Sequence, residues 1–202
     1  MHKTSFVVAL TLVALAATAR AQDLASSPDS RPRLEVSLSV LPMGLGRFTS
    51  SPGGMATTDD AAFSYGLALH AGYIVIPGLT VGVVPQVLLN VKPKVQDGDA
   101  AQELDLFARI AYTQQLVDSI GLFVEVMPGY SLIRPPNNSG DTSSGLVLGL
   151  GGGATIPLSE RAFASLGLGY QIGFQKLPAK DLSPEGPSTR YVRVAIGVGT
   201  RF

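Results

Sequence analysis

His70 is the only histidine beyond the first two residues, and any acid–base chemistry in this chain would start from it. An imidazole can act as a general base toward a hydroxyl when a carboxylate orients it. Glu35 and Glu125 are the carboxylates in phase to do so, and Ser39 and Ser64 are the nearest hydroxyls in pattern. The plainer expectation is a satisfied, inward-facing histidine. Gly149, Gly151, Gly152 and Gly153 form a glycine run, but no Lys accompanies it at phosphate-loop spacing and Pro157 follows instead of a helix. Asp97 and Asp99 supply two acids, far short of an EF-hand ligand set. The chain has no Cys and two His, which excludes disulfides and thiolate chemistry and argues against a His-rich zinc site. No catalytic residue, cofactor or metal is expected.

Composition narrows the setting. Lys plus Arg and Asp plus Glu both number 15, so the 202-residue chain has a formal net charge of zero. Neither charge nor basic, aromatic-interleaved patches favour nucleic acid. Charged residues make up 15% of the chain against 46% hydrophobics and 23 glycines. An ordinary soluble domain carries about 25% charged residues.

The elements that would hold these side chains alternate with period two, the mark of strands that face two environments. Eight such segments are expected at 33–41, 62–73, 79–91, 102–112, 120–130, 145–155, 162–174 and 190–202. They run from 9 to 13 residues, and a tilted strand needs about 9–11 to cross a bilayer. No second apolar stretch is long enough for a spanning helix, and hydrocarbon tolerates strands only in a closed sheet. The fold class is therefore all-β: an eight-stranded antiparallel up-and-down transmembrane β-barrel over 33–202.

Connections alternate in length. Long ones are expected at 46–61, 92–101, 131–144 and 175–189, and short ones at 74–78, 113–119 and 156–161. The long ones hold the polar, Pro- and Gly-rich sequence, such as Pro52-Gly53-Gly54 and Pro135-Pro136-Asn137-Asn138. On the apolar face, Phe63, Tyr65, Tyr130, Tyr170 and Phe174 fall toward the long-loop end, and Tyr73, Tyr112 and Phe202 toward the short-turn end. Two aromatic belts of this kind suit the headgroup levels of a bilayer. Pro85 and Pro128 lie within strands, where each lacks a ladder donor, and a bulge is expected near each.

The opposite face carries Glu35, His70, Gln86, Glu103, Asp105, Arg109, Glu125, Gln171, Arg193 and Arg201 among many small residues. An eight-stranded barrel is just wide enough for side chains to fill it. Buried carboxylates need partners, so a packed lumen is expected in which Glu35, Asp105, Arg109, Glu125 and Arg193 form an acid–arginine network. The pairing depends on barrel shear, which a sequence does not display.

Ahead of the barrel, Met1-His2-Lys3 precedes an apolar run over 6–17, and Ala19-Arg20-Ala21 fits a small-x-small cleavage site. Residues 1–21 read as a secretory signal peptide, and 22–32, polar with two prolines, as a leader outside the fold.

With alternation, a signal peptide and the closing run Tyr191-Val-Arg-Val-Ala-Ile-Gly-Val-Gly-Thr-Arg-Phe202, the chain resembles the small outer-membrane β-barrels of Gram-negative bacteria, the OmpA/OmpX-like transmembrane domains, without their periplasmic peptidoglycan-binding domain. The resemblance implies a cell outer-membrane location. It implies that Phe202 is the aromatic that the barrel-assembly machinery reads, with periplasmic chaperones and outer-membrane lipids as partners. It further implies a monomer without enzymatic activity whose exposed loops meet a surface ligand or support membrane integrity. The alternatives are a narrow solute pore or a lipid-modifying enzyme in the same membrane, and a soluble secreted lipocalin-like carrier, whose apolar face would have to be internal.

Overall fold

The computed structural model describes residues 33–50, 57–94, 100–117, 119–135, 142–176 and 188–202. The expected signal peptide (1–21), the leader (22–32) and the turn-rich stretches at 52–54, 96–99, 136–138 and 183–187 lie outside the described residues. Ten strands form: β1 (Leu34–Met43), β2 (Leu45–Ser50), β3 (Thr57–Asp60), β4 (Ser64–Ile76), β5 (Leu79–Val91), β6 (Ala101–Val117), β7 (Ile120–Arg134), β8 (Ser143–Pro157), β9 (Ala162–Gln175) and β10 (Thr189–Arg201). No helix occurs among the described residues.

Each barrel strand pairs antiparallel with its neighbour in the chain, and β1 pairs β10, so the sheet closes. The closure register runs from Glu35↔Arg201 to Val40↔Ile196. β2 continues β1 past Gly44 and stays paired to β10 from Leu45↔Val192 to Phe48↔Thr189, one residue out of the earlier register. β1 and β2 thus make one barrel strand, β3 and β4 likewise make another, and the barrel has eight. The expected long connection at 46–61 is corrected here. Much of it continues the barrel wall: β2 pairs with β3 from Arg47↔Asp60 through Ser50↔Thr57, in the register that β1 keeps with β4. Strand β5 keeps its expected bounds, while β6 outruns its expected end as far as Val117, β7 as far as Arg134 and β8 as far as Pro157.

Alternation becomes inside and outside. Outward residues such as Val83, Ile110, Leu150 and Ile196 stay 45–50% exposed, whereas their inward neighbours Val84, Phe107 and Met127 are at most 2% exposed. The apolar face is therefore the outer one. The aromatics expected in two belts lie on it: Phe63, Tyr65, Tyr130, Tyr170 and Phe174 toward one end, Tyr73 and Tyr112 toward the other. The turn between β4 and β5 is Pro77-Gly78, where Gly78 has φ 87°. Proline followed by a left-handed glycine is the composition of a type II turn.

The bulges expected at the two prolines are absent. Register runs unbroken through Pro85↔Leu106 and Pro128↔Leu148. On the other side of each proline the bridge pairs lapse briefly and resume in the same register, from Ala68↔Gln86 to Ala71↔Val83 and from Phe107↔Gly129 to Ile110↔Val126. A missing donor has opened a rung without inserting a residue. The slip in β5 comes later, between Leu88 and Val91, where Asn90 has φ 62° and donates from Nδ2 to the Phe63 carbonyl at 2.6 Å. Asn tolerates the left-handed region better than most residues.

Val83 lies on the outer face midway between the aromatic ends. Val83→Arg is expected to destabilise the barrel by about 2–4 kcal/mol in lipid vesicles, read from denaturant unfolding. Thr113→Arg, inward at the short-turn end, should cost far less.

Candidate functional site: a layered polar lumen

Because side chains alternate along each strand, the lumen-facing residues of β6 descend from the long-connection end as Glu103, Asp105, Phe107 and Arg109. They seed three layers. The ionic layer lies nearest the short turns. Glu125 on β7 accepts from Arg109 Nε at 2.6 Å through one carboxylate oxygen and from Arg193 Nη1 at 2.8 Å through the other. Glu35 on β1 accepts from Arg201 Nε at 2.9 Å, directly across the closing seam, with Arg109 Nη1 3.9 Å away. Phe123 lies 5.7 Å from the Arg109 guanidinium and Phe163 4.7 Å from that of Arg201, both within cation–π range. Three guanidinium groups thus face two carboxylates.

His70 sits inside this layer, 6% exposed. Its Nδ1 is 3.6 Å from Glu35, and its Nε2 is 3.3 Å from Arg109 Nη1. Arginine has only donors, so Nε2 accepts and its lone pair is engaged. Neither expected hydroxyl serves it: Ser64 Oγ donates to the carbonyls of Ala62 and Asn90. This is a satisfied lumen histidine. A cavity of about 50 Å³ remains among Glu35, His70, Arg109, Glu125, Arg193 and Arg201, space for a few ordered waters at most.

An apolar layer of Val84, Phe107, Met127 and Val147 closes the lumen above it. Glycines admit these bulky groups. A Cβ on Gly149 would stand 2.7 Å from Met127 Cε, and one on Gly153 would stand 2.8 Å from Phe123 Cζ in the layer below.

The third layer holds Glu103 and Asp105. Asp105 departs from the expected acid–arginine network, because no ion pair reaches it among the described residues. Strand register is the reason. Asp105 is level with Gln86 on β5 and Ser131 on β7, while Arg109 sits below the apolar layer. Its Oδ2 accepts from Gln86 Nε2 at 2.8 Å and Gln171 Nε2 at 3.0 Å. Glu103 Oε1 accepts from Ser131 Oγ at 3.1 Å and Gln175 Nε2 at 3.2 Å. Ser188 Oγ donates to Gln175 Oε1 in turn. The structure brings Glu35, Arg109, Glu125 and Arg193 together and leaves Asp105 apart. Gln175, expected in a long connection, belongs to the lumen. Its spacing of four from Gln171 puts it in phase, and that was the available signal.

No family model matches the chain, and no curated protein matches it in sequence. Solved structures match in fold. Neisserial surface protein A aligns over 84% of this chain and 97% of its own, at 16% identity and a TM-score of 0.59. The outer-membrane protein OprG from Pseudomonas aeruginosa aligns over 85% and 96%, at 15% identity and a TM-score of 0.55. The N-terminal β-barrel domain of Pseudomonas aeruginosa OprF aligns over 85% and 100%, at 14% identity and a TM-score of 0.53. The fold of this chain is that of the small eight-stranded outer-membrane barrels.

Removing one partner of a buried ion pair costs about 3–5 kcal/mol, because the other charge is left uncompensated. Glu125→Gln strips the shared counter-charge from Arg109 and Arg193. The variant should lose stability in that range in urea titrations of the refolded protein, and Glu125→Asp should lose less.

Proposed function

We propose that this chain is a non-enzymatic integral barrel of the bacterial outer membrane, acting through the connections at its long-loop end, either by surface interaction or by supporting membrane integrity. One observation carries the reading: the barrel is inside out relative to a soluble one. Its outer wall is a continuous band of Leu, Val, Ile and aromatic side chains, and its interior holds the ions and amides. Hydrocarbon would solvate that wall, whereas water would not. A lipocalin-like carrier needs the opposite arrangement, with its apolar face lining the cup.

The same geometry speaks against the two membrane alternatives. Phe107, Met127, Val147 and Val84 fill the lumen between the polar layers, which argues against a solute pore. His70 is enclosed by its own partners and points away from lipid, which argues against a lipid-modifying active site. Phe202 pairs with Leu34 at the seam, its N–H donating to the Leu34 carbonyl and its carbonyl accepting from Arg33 and Leu34. An assembly factor that engaged this strand would hold one of the two edges that must meet last. The proposed partners are that machinery, periplasmic chaperones and outer-membrane lipids, with the barrel acting as a monomer.

Cells expressing the full chain should yield a band in the outer-membrane fraction whose SDS-gel mobility changes on boiling, as folded barrels resist SDS. An epitope inserted between Asp97 and Gly98 should be labelled on intact cells, and planar bilayers should show no large, stable conductance. A soluble, non-shifting band in the periplasm would overturn the reading.

A further inference from the structure

A hollow interrupts the outer wall at the long-loop end. The chain steps from β1 to β2 at Gly44 and from β3 to β4 at 61–63, and small residues line the step: Gly44, Gly46, Ala61 and Ala62. Phe63 leans against it, so that a Cβ on Gly44 would stand 3.3 Å from Phe63 Cδ2. The result is an open hollow of about 630 Å³. Its lower edge is apolar: Tyr170 on β9, Val192 on β10 and Leu45 on β2 stand side by side in one row. Leu45 is 70% exposed, so this phase of β2 points outward. One outward position higher, the row reads Ile172, Arg190, Arg47 and Asp60. Lys94 completes the group, its N–H donating to the Asp60 carbonyl at 2.7 Å.

The charges here are unbalanced. Arg190 and Arg47 are directly opposite each other on paired strands, and like charges so placed destabilise a sheet. Three cations and one acid line the hollow among the described residues, an excess of two positive charges. No ion pair reaches Arg47, Lys94 or Arg190 among those residues. The level is informative as well. Arg190 pairs with Ile172, which lies between Tyr170 and Phe174 of the aromatic belt. Such belts sit at the headgroup level of a bilayer, where lipid phosphates also lie.

We propose that this hollow binds a phosphate-bearing lipid of the outer leaflet. Its phosphate would lie between Arg47, Arg190 and Lys94, and an acyl chain would descend over Leu45, Val192 and Tyr170. The inference rests on the outer-membrane reading above, which turns the long-loop end to the cell exterior. Charge complementarity selects the ligand. Guanidinium groups match phosphate oxygens in forked geometry, and a phosphomonoester carries about −1.5 to −2 charge near pH 7. A phosphate bridging the two arginines turns their repulsion into attraction. Because they stand on β2 and β10, the lipid would also clamp the closing seam from outside.

The chain has no tryptophan, so Tyr170→Trp places a single fluorophore at the hollow. The full chain carrying it is folded into phosphatidylcholine vesicles, with folding confirmed by gel shift, and titrated with brominated lipids that quench tryptophan on contact. Brominated phosphatidic acid should quench with about tenfold the relative affinity of brominated phosphatidylcholine, and salt should reduce the difference. Arg47→Gln with Arg190→Gln should remove the preference without lowering stability in pure phosphatidylcholine, since it relieves a repulsion. Arg47→Lys with Arg190→Lys should keep most of it. Equal quenching by the two lipids would overturn the site while leaving the lipid-facing wall in place. Quenching by neither would overturn the wall as well. A preference that survives the double Gln change would place the phosphate elsewhere and sink the proposal. So would its loss to a few millimolar inorganic phosphate at constant ionic strength, which would mark a site for the free ion. If Tyr170→Trp does not fold, Leu45→Trp carries the same test.

Discussion

Hydrocarbon offers a backbone amide no hydrogen bond, so a strand that crosses it must be paired on both sides. An open sheet always leaves two edges unpaired, and only closure removes them. The pairing of β1 with β10 is therefore the contact on which the rest of the molecule depends. Once those strands meet, each residue is committed either to the outer wall or to the lumen. The seam is reinforced from within, where Arg201 on one closing strand binds Glu35 on the other. A closing contact between the two ends of the chain is a slow kind of contact to make, and an ion pair set across it rewards the correct register.

Closure also fixes what the lumen can be. Eight strands leave room for side chains and little else, so every polar group placed inside must find its partner there. The structure resolves this by stratification. Three arginines pair with two glutamates near the short turns, an apolar layer seals the middle, and amides and hydroxyls surround two carboxylates near the long connections. Breaking any one pair would strand a charge in a place that water does not reach freely. The lumen is in this sense a set of mutually dependent contacts, a more rigid filling than an oily core of the same volume would be.

Much of this was legible in the sequence because period two is a local signal. The phase of Leu104, Leu106 and Ala108 against Glu103, Asp105 and Arg109 assigns inside and outside without knowledge of any neighbour. Pairing is not local. Glu35 and Arg201 stand at opposite ends of the chain and meet only through the closing register. Composition groups Asp105 with the arginines, but its height in the barrel puts glutamines beside it. The β2–β3 hairpin is hidden because its strands, Leu45–Ser50 and Thr57–Asp60, are mostly polar and show no apolar alternation. Gln175 lies one residue past the end that alternation sets for its strand. The prolines misled for a different reason: an interior proline can be absorbed by a lapse in one ladder, a choice that the neighbouring strand makes.

The central claim is that the apolar wall faces lipid and the polar layers face each other. The chain has no cysteine, so a single one can be introduced and spin-labelled at each position of β5 in turn, with the barrel reconstituted in lipid vesicles. The decisive quantity is the accessibility of each label to oxygen, which partitions into lipid, against that to a water-soluble nickel complex. Labels at Val81, Val83 and Val87 should be reached by oxygen and shielded from nickel, and those at Gly82 and Val84 should be shielded from both. Nickel access at Val81, Val83 and Val87 would contradict the account, because the wall would then face water.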